Sequence, residues 1–114
     1  MSAKEKSYNF SKDIILFINK LDRKIYSNEV IGRQLLRSAT SIGANIIEAQ
    51  AGSSKKDFGN FLSHALKSAN ETKYWLELLN ETSRDEVEIK KLLQDVTGLS
   101  KILAASILTI RGKR

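Results

Sequence analysis

Asn45, Glu48 and Glu71 are the strongest candidates for catalytic or metal-binding residues in this sequence. Asn45 and Glu48 lie three residues apart in a largely apolar segment, and Glu71 lies in a later one. Residues three or four positions apart share one face of a helix, so Asn45 and Glu48 are expected to stand together. Paired carboxylates suit acid–base catalysis or metal binding. In a helical bundle, the same groups can instead form a hydrogen-bonded network that fixes the register of the helices.

The other residues that catalysis would need are scarce. The chain has one histidine, His64, and no cysteine, which excludes a multi-histidine or thiolate metal site within one chain. Neither the Glu-x-x-His motif of di-metal bundles nor the Arg-spacer-His signature of small helical ribonucleases is present. We therefore predict a protein that is not an enzyme and that binds no cofactor or metal. The predicted structural polar network consists of Ser41, Asn45, Glu48, Ser68 and Glu71.

The backbone that must position these residues is predicted to be entirely α-helical. The 114 residues contain no proline, although average usage is about 5% and proline is the strongest helix breaker. Apolar residues recur at three- and four-residue spacing in four segments, which predicts one domain with helices at approximately 9–24, 29–51, 55–81 and 84–111. Short connections between long helices favour an antiparallel up-down-up-down four-helix bundle.

Cap and turn residues mark the predicted helix ends. We expect Ser7 or Asn9 to cap the first helix and Asn28 the second, because short polar side chains accept hydrogen bonds from free N–H groups. Gly52 suits the left-handed position that ends a helix. Capping boxes are predicted at the two later helix starts, formed by Ser54 with Asp57 and by Ser83 with Glu86.

The second and third helices carry more apolar surface than a monomeric bundle requires. The second helix has two adjacent apolar stripes, one of which includes Leu36 and Ile47. Beside its main stripe, the third helix has a second stripe formed by Phe61, Trp75 and Leu78. Extra apolar surface on a small protein usually marks an interface, so we predict a homo-oligomer that associates through these residues. The alternative is a single broad stripe, which ordinary bundle helices also have.

The balance of charge points to an acidic partner. The formal net charge is +6, and a basic surface attracts nucleic acid or another acidic surface. The basic residues are spread along the chain. They are either an ordinary solvated surface or a modest basic edge that an oligomer multiplies to hold phosphate without reading bases. The predicted nucleic-acid-binding residues are Arg33, Arg37, Lys55, Lys56, Lys67, Lys73, Arg111, Lys113 and Arg114.

Signals for nucleotide binding and for targeting are missing from the sequence. It has no glycine-rich phosphate loop of the Walker or Rossmann type. No apolar run has the length and composition of a signal peptide or a membrane span. We therefore expect a cytoplasmic protein without membrane contact.

Polar and apolar residues at fixed spacing fill the second and third helices. They follow the pattern Gln-x-x-Arg-x-x-x-Ser-Ile-x-x-Asn-Ile-x-Glu, then Ser-x-x-Asp-Phe, then Leu-x-x-Ala-x-x-Ser-x-x-Glu-Thr. The matching positions are Gln34, Arg37, Ser41, Ile42, Asn45, Ile46, Glu48, Ser54, Asp57, Phe58, Leu62, Ala65, Ser68, Glu71 and Thr72. This pattern resembles the four-helix bundle protein family, also called the intervening-sequence protein family of large-subunit (23S) ribosomal RNA.

The resemblance implies a four-helix bundle that assembles as a homopentameric ring with a basic surface, and it supplies no catalytic residues. A distant relative, the accessory variability determinant of diversity-generating retroelements, binds nucleic acid and a reverse transcriptase. Our leading hypothesis is a non-enzymatic, oligomeric protein that binds RNA or DNA without sequence specificity or acts as a scaffold. The alternative is an accessory subunit that docks a protein partner, such as a reverse transcriptase, and does not itself bind nucleic acid.

Overall fold

A computed structural model describes residues 1–83 and 86–112 of the chain. Within these residues there is no strand, and four α-helices follow one another: α1 (Ala3–Asn19), α2 (Tyr26–Gln50), α3 (Lys55–Thr82) and α4 (Glu86–Ile110). Each helix packs against the next one along the chain, and α1 also packs against α4. The bundle measures 47 × 22 × 22 Å. The predicted all-α fold with four helices is confirmed, in an arrangement that fits the expected up-down-up-down bundle.

One hydrophobic core runs along the bundle between the four helices. Its fully buried side chains include Phe17 of α1, Leu35 of α2, Leu76 of α3 and Leu103 of α4, each at most 1% exposed. Burying a side chain of this size contributes about 1.5–3 kcal/mol to folding. Because the core takes one face of every helix, the opposite faces are left free for contacts with other molecules.

The first helix starts and ends earlier than the sequence predicts, at Ala3 and Asn19. Ser2 is its N-cap: the Ser2 Oγ accepts a hydrogen bond from the Glu5 N–H at 3.1 Å, and the Ser2 N–H donates to Glu5 Oε1 at 3.2 Å. The predicted caps Ser7 and Asn9 are therefore wrong, since both lie inside the helix. Two orphan N–H groups are satisfied at the true start, which makes it the more stable one.

The second helix also starts earlier than predicted, at Tyr26. The N-cap position is occupied by Ile25, which makes no side-chain cap hydrogen bond. Asn28, the predicted cap, lies in the first turn, and its Nδ2 donates to the Asp22 carbonyl oxygen at 3.1 Å. The prediction is wrong because Asn28 braces the preceding turn from within the helix instead of capping it.

The start of α3 is close to the prediction. The Ser54 Oγ accepts a hydrogen bond from the Asp57 N–H at 3.1 Å, which confirms Ser54 as the N-cap. The carboxylate of Asp57 accepts a hydrogen bond from the Ser53 Oγ at 3.1 Å. The other predicted capping box, between Ser83 and Glu86, spans residues 84–85, which lie outside the described residues.

Gly52 lies in a sterically crowded turn, and its backbone conformation is not one that requires glycine. Among the described residues, the one glycine with a positive φ is Gly112, at 70°, so the predicted left-handed conformation of Gly52 is wrong. A Cβ at position 52 would lie 3.1 Å from the Ala49 carbonyl oxygen and 3.2 Å from the Asp57 Cβ. A larger residue at position 52 would therefore require its neighbours in the α2–α3 turn to move by a few tenths of an ångström.

Contrary to the expectation from the sequence, one of the described helices, α4, is long and apolar enough to cross a membrane by length and composition alone. In the bundle, this helix forms one wall of the core, where Ile89, Val96 and Leu103 are at most 1% exposed. A helix that supplies a core can reach this hydropathy without any contact with lipid.

Candidate nucleic-acid interface

Where the start of α3 meets the end of α4, long stretches of both helices contain no Asp or Glu. Arg111, which directly follows α4, donates from Nη2 to the Ser63 Oγ of α3 at 3.5 Å, so the start of α3 lies beside the end of α4. Residues 58–70 of α3 and residues 96–112 of α4 and the turn after it include no Asp or Glu. The lysines and arginines of this region, which we call the basic end, are Lys55, Lys56, Lys67, Lys101 and Arg111, and all are exposed.

An open groove of about 260 Å³ lies at the centre of the basic end. It is lined by Lys55, Lys56, Gly59, Asn60, Ile110 and Arg111. A Cβ at Gly59 would lie 3.7 Å from Ile110 Cγ2, so the two helices approach closely under the groove. The positive end of the α3 dipole adds to the charge of the two lysines.

Asp57 brings a carboxylate into the first turn of α3, beside the groove. It is half-buried, and its Oδ2 is held by the Ser53 hydroxyl at 3.1 Å. It joins none of the three ion pairs found among the described residues. The carboxylate therefore closes the turn and leaves the lysine charges available.

The opposite end of the bundle holds all three of those ion pairs. The pairs are Lys20 with Glu88 at 2.7 Å, Arg33 with Glu29 at 2.7 Å, and Lys91 with Asp95 at 2.8 Å. The hydrogen bond to Asp95 and the attraction of its carboxylate raise the pKa of Lys91. The three ion pairs therefore lie at this end, where Arg23, Lys24 and Lys90 are exposed cations outside those pairs. The basic end differs from it in its long stretches without carboxylates.

The structure brings together part of the predicted nucleic-acid-binding set. Lys55, Lys56 and Arg111 share the groove, and Lys67 lies three helical turns beyond Lys56 on α3. Lys101 is also exposed on α4 but does not line the groove, and the sequence prediction did not include it.

The remaining predicted residues lie elsewhere. Arg33 is at the opposite end and is paired with Glu29. Arg37 is exposed on α2, and Lys73 is half-buried in the middle of α3. Lys113 and Arg114 lie outside the described residues.

The residues of the predicted polar network do not form one cluster. Asn45 Nδ2 donates to the Ser41 carbonyl oxygen at 2.8 Å, within α2. Glu71 Oε2 accepts a hydrogen bond from Trp75 Nε1 at 3.1 Å, within α3. Glu48 is exposed, as is Glu71. The two carboxylates stay outside the core because burying a charge would remove its hydration.

The polar link between α2 and α3 is made by Ser38 and Thr72. Their hydroxyl oxygens are 2.9 Å apart and hydrogen-bonded, and both residues are buried. Thr72 Oγ1 also lies 2.8 Å from the Ser68 carbonyl oxygen, so Ser68 joins this link through its backbone. The sequence does contain a signal for this link, because Ser38 and Thr72 are polar residues at core positions of the predicted second and third helices.

Side chains that could bind a metal ion are not clustered in the part of the chain that the structure describes. No group of three or more His, Cys, Asp or Glu side chains is placed there to hold one. His64 is exposed, with its ring 6.4 Å from the ring of Phe61.

The predicted interface residues are half-buried. Phe61 and Trp75 pack against the core, and Leu78 is also partly covered. A more exposed apolar set lies on the outer face of α1 and α2 and consists of Tyr8, Ile15, Leu36 and Ile47. Leu36 and Ile47 belong to the second apolar stripe predicted for α2, whereas sequence reasoning missed Tyr8 and Ile15. Residues seven or eleven positions apart share one face of a helix, but which face meets solvent depends on how the helices pack.

The whole bundle has recognisable relatives. A family profile described as 23S rRNA-intervening sequence protein matches residues 1–105. The chain is also similar to a protein of unknown function from the S23 ribosomal protein family of Bacteroides thetaiotaomicron, whose crystal structure is known. The sequences are 41% identical and the TM-score is 0.84, over 93% of this chain and 98% of that one. No curated protein matches the chain significantly.

Proposed function

This chain belongs to the 23S rRNA-intervening sequence protein family, and from that premise we propose a function in binding the phosphate backbone of RNA or DNA. In this proposal, the protein is a non-enzymatic, oligomeric scaffold that does not read base sequence. The observation that carries the proposal is the basic end, where five exposed cations take part in no ion pair among the described residues.

The basic end has the chemistry of a phosphate-binding surface. Lysine and arginine side chains that contact phosphates release condensed counterions, and this release supplies most of the affinity of non-specific binding. Lys56 and Lys67 are 11 residues apart on one helix, so their backbones are about 17 Å apart, which is enough to span several phosphates of one strand. Contacts of this kind position a nucleic acid without specifying its sequence.

Assembly would multiply this surface. We propose that copies form a closed ring, of five subunits as the family resemblance implies. The exposed apolar side chains on the outer face of α1 and α2 support association, because such patches on small proteins usually mark interfaces. A ring presents several basic ends to one polyanion, which raises the overall affinity without any new kind of contact.

A titration against salt tests the phosphate-binding proposal. Fluorescence anisotropy with labelled duplex RNA and duplex DNA should give similar affinities for unrelated sequences. The combined variant Lys55→Ala, Lys56→Ala, Arg111→Ala removes three contacts per subunit. The slope of log K against log salt should therefore become shallower by about 3 per subunit engaged, at roughly 0.9 per contact on duplex DNA.

A matched control removes the same charge from the other end. The variant Arg23→Ala, Lys24→Ala, Lys90→Ala also loses three exposed cations, and its slope should stay near that of the unmodified protein. Equal losses in the two triple variants would show that net charge alone governs binding. The proposal fails if the unmodified protein binds neither duplex at low salt.

The second candidate is a protein-docking accessory subunit without nucleic-acid binding, which the exposed apolar face of α1 and α2 favours. A nuclease-treated pull-down distinguishes the two functions. Recovery of one protein in a fixed ratio, together with no binding of the purified chain to either duplex, would favour the accessory subunit.

A further inference from the structure

The groove at the basic end combines an apolar bottom with charged edges. Gly59 and Ile110 are half-buried at its bottom, and its three cations are exposed at its edges. None of the described residues that line it has a carboxylate. Asp57 lies beside the groove without lining it, and its carboxylate is held by the Ser53 hydroxyl. A phosphate alone gains nothing from an apolar bottom, so the groove suits a ligand that joins an anionic group to an apolar one.

The absence of a side chain at Gly59 keeps the groove open. Gly59 lies inside α3, where glycine is less favourable than alanine, and its φ is not positive. A Cβ there would meet Ile110 Cγ2 at 3.7 Å, which is an ordinary contact. Neither backbone conformation nor crowding therefore requires glycine at this position. What the glycine provides is open space above Ile110, as glycine does where a ligand approaches the backbone closely.

The size of this space suits a single nucleobase. Its volume is about 260 Å³, which equals the liquid volume of about nine water molecules at ~30 Å³ each. A flat base fits there with its sugar and phosphate outside, at the cationic edge. The bases of a duplex are paired and stacked, so they do not enter such a groove unless they are flipped out of the helix.

The side chains at the edges can hold a base and its phosphate together. Arg111 Nη2 donates to the Ser63 Oγ at 3.5 Å, and a guanidinium plane is a surface on which unpaired bases stack. Asn60 is exposed at the edge, and its amide offers both donors and an acceptor to the polar atoms of a base. Lys55 and Lys56 supply charge for the phosphate.

A second groove, between α1 and α4, has similar dimensions and different chemistry. It measures about 340 Å³ and is also lined by a helical glycine, Gly98. Its two lysines, Lys6 and Lys91, are accompanied by two carboxylates, Asp13 and Asp95, and Lys91 is ion-paired with Asp95 at 2.8 Å. Carboxylates repel a polyanion, so the groove at the basic end is the better match for nucleic acid.

We propose that the groove at the basic end receives one unpaired base of a single-stranded RNA or DNA, with the neighbouring phosphate at Lys55 and Lys56. This inference rests on the proposed binding of nucleic acid and adds a contact that an intact duplex does not make. Every base has a flat apolar face, so the contact tolerates any sequence. A duplex binds the same end through its phosphates alone.

A strand without bases separates the base contact from the phosphate contact. Fluorescence anisotropy compares a labelled single strand of mixed sequence with an abasic strand of the same length and charge. The unmodified chain should bind the mixed strand at least about fivefold more tightly than the abasic strand, which is the low end of the effect of one stacked base.

Filling the groove without changing its charge should abolish this difference. Gly59→Leu places a side chain over Ile110, so the mixed strand should bind about as weakly as the abasic strand, while the affinities for the abasic strand and for a duplex stay unchanged. Gly98→Leu is the matched control and should keep the fivefold difference. Ile110→Ser makes the bottom of the groove polar and should also reduce the difference. Circular dichroism checks each fold, and Ile110→Ser decides the test if Gly59→Leu does not fold.

Three results would overturn the inference. Equal binding of the mixed and abasic strands by the unmodified chain removes the base contact and leaves the phosphate-binding function standing. A fivefold difference that survives in a folded Gly59→Leu protein, or that is lost equally in Gly98→Leu, shows that this groove is not the site. Binding of neither strand and of no duplex at low salt overturns the inference together with the proposed function.

Discussion

The two halves of the α3–α4 pair share one interior and differ on their outer surfaces. Near the α2–α3 turn, the outer faces carry the basic end, with long stretches free of carboxylates. Near the α3–α4 connection, the same two helices carry the acidic residues Glu71, Glu77, Glu81, Glu86, Glu88 and Asp95. Both halves bury apolar side chains at the same spacing. The core therefore places no demand on surface charge, and the charge pattern is free to serve binding.

The largest expected effect is a loss of stability on truncating a core leucine, and it should be similar in the two halves. Leu62→Ala in the basic half and Leu76→Ala in the acidic half each empty a buried site, and each should lower the free energy of unfolding by about 2–5 kcal/mol. Urea unfolding at one fixed protein concentration measures both. A large loss in one half and almost none in the other would contradict a shared interior.

The second-largest expected effect is a gain in duplex affinity when carboxylates of the acidic half are replaced by lysines. Glu77→Lys with Glu86→Lys changes two exposed carboxylates on this face. Duplex affinity should rise about tenfold near 100 mM salt, and the salt slope should steepen by about 2 per subunit engaged. The control Asp22→Lys with Glu48→Lys makes the same change of charge elsewhere, and an equal gain there would show that the position of the charge is irrelevant.

A smaller effect concerns the turn that positions the basic end. Gly52→Ala should lower the free energy of unfolding by about 1–2 kcal/mol, because its Cβ would crowd the Ala49 carbonyl oxygen. Gly98→Ala is the matched control, since a Cβ there meets nothing within 4 Å. It should raise stability by about 0.5–1 kcal/mol through its higher helix propensity. Thermal unfolding of both variants measures the difference, and equal changes would contradict the crowding.

The smallest effect belongs to an ion pair of the acidic half. The pKa of Lys91 is raised, so this pair stabilises the fold below the ordinary lysine value of 10.5 and loses its effect as pH rises through the raised pKa. The pair is exposed, so Asp95→Asn should cost at most about 0.5 kcal/mol at pH 7. Unfolding at low salt and in 1 M salt checks this, since screening should remove the difference.

Local sequence signals predicted the elements better than their boundaries. The three- and four-residue spacing of apolar side chains located all four helices, and Ser54 was recognised as a cap. The start of α1 was missed because two later polar residues, Ser7 and Asn9, were read as caps instead of Ser2. The cap of α2 was wrong because Asn28 bonds to Asp22 across a turn that spacing does not reveal.

The candidate site could be predicted only in part. Lys55, Lys56 and Arg111 were identified from the sequence, but nothing in the spacing of residues placed Arg111 beside the start of α3. Arg33 was included because it is basic, although Glu29 neutralises it one turn away. A list of basic residues gives candidates, and their grouping depends on which helix ends meet.

By itself, the sequence determined the all-α class, the four helices and the net positive charge. These properties depend on residue type and on spacing within one helix. The tertiary structure decided that Glu48 and Glu71 face water, that Ser38 and Thr72 join α2 to α3, and that Arg111 lies beside the first turn of α3. These outcomes depend on the rotation of each helix about its axis and on its neighbours. Both are set by packing between residues that are distant along the chain.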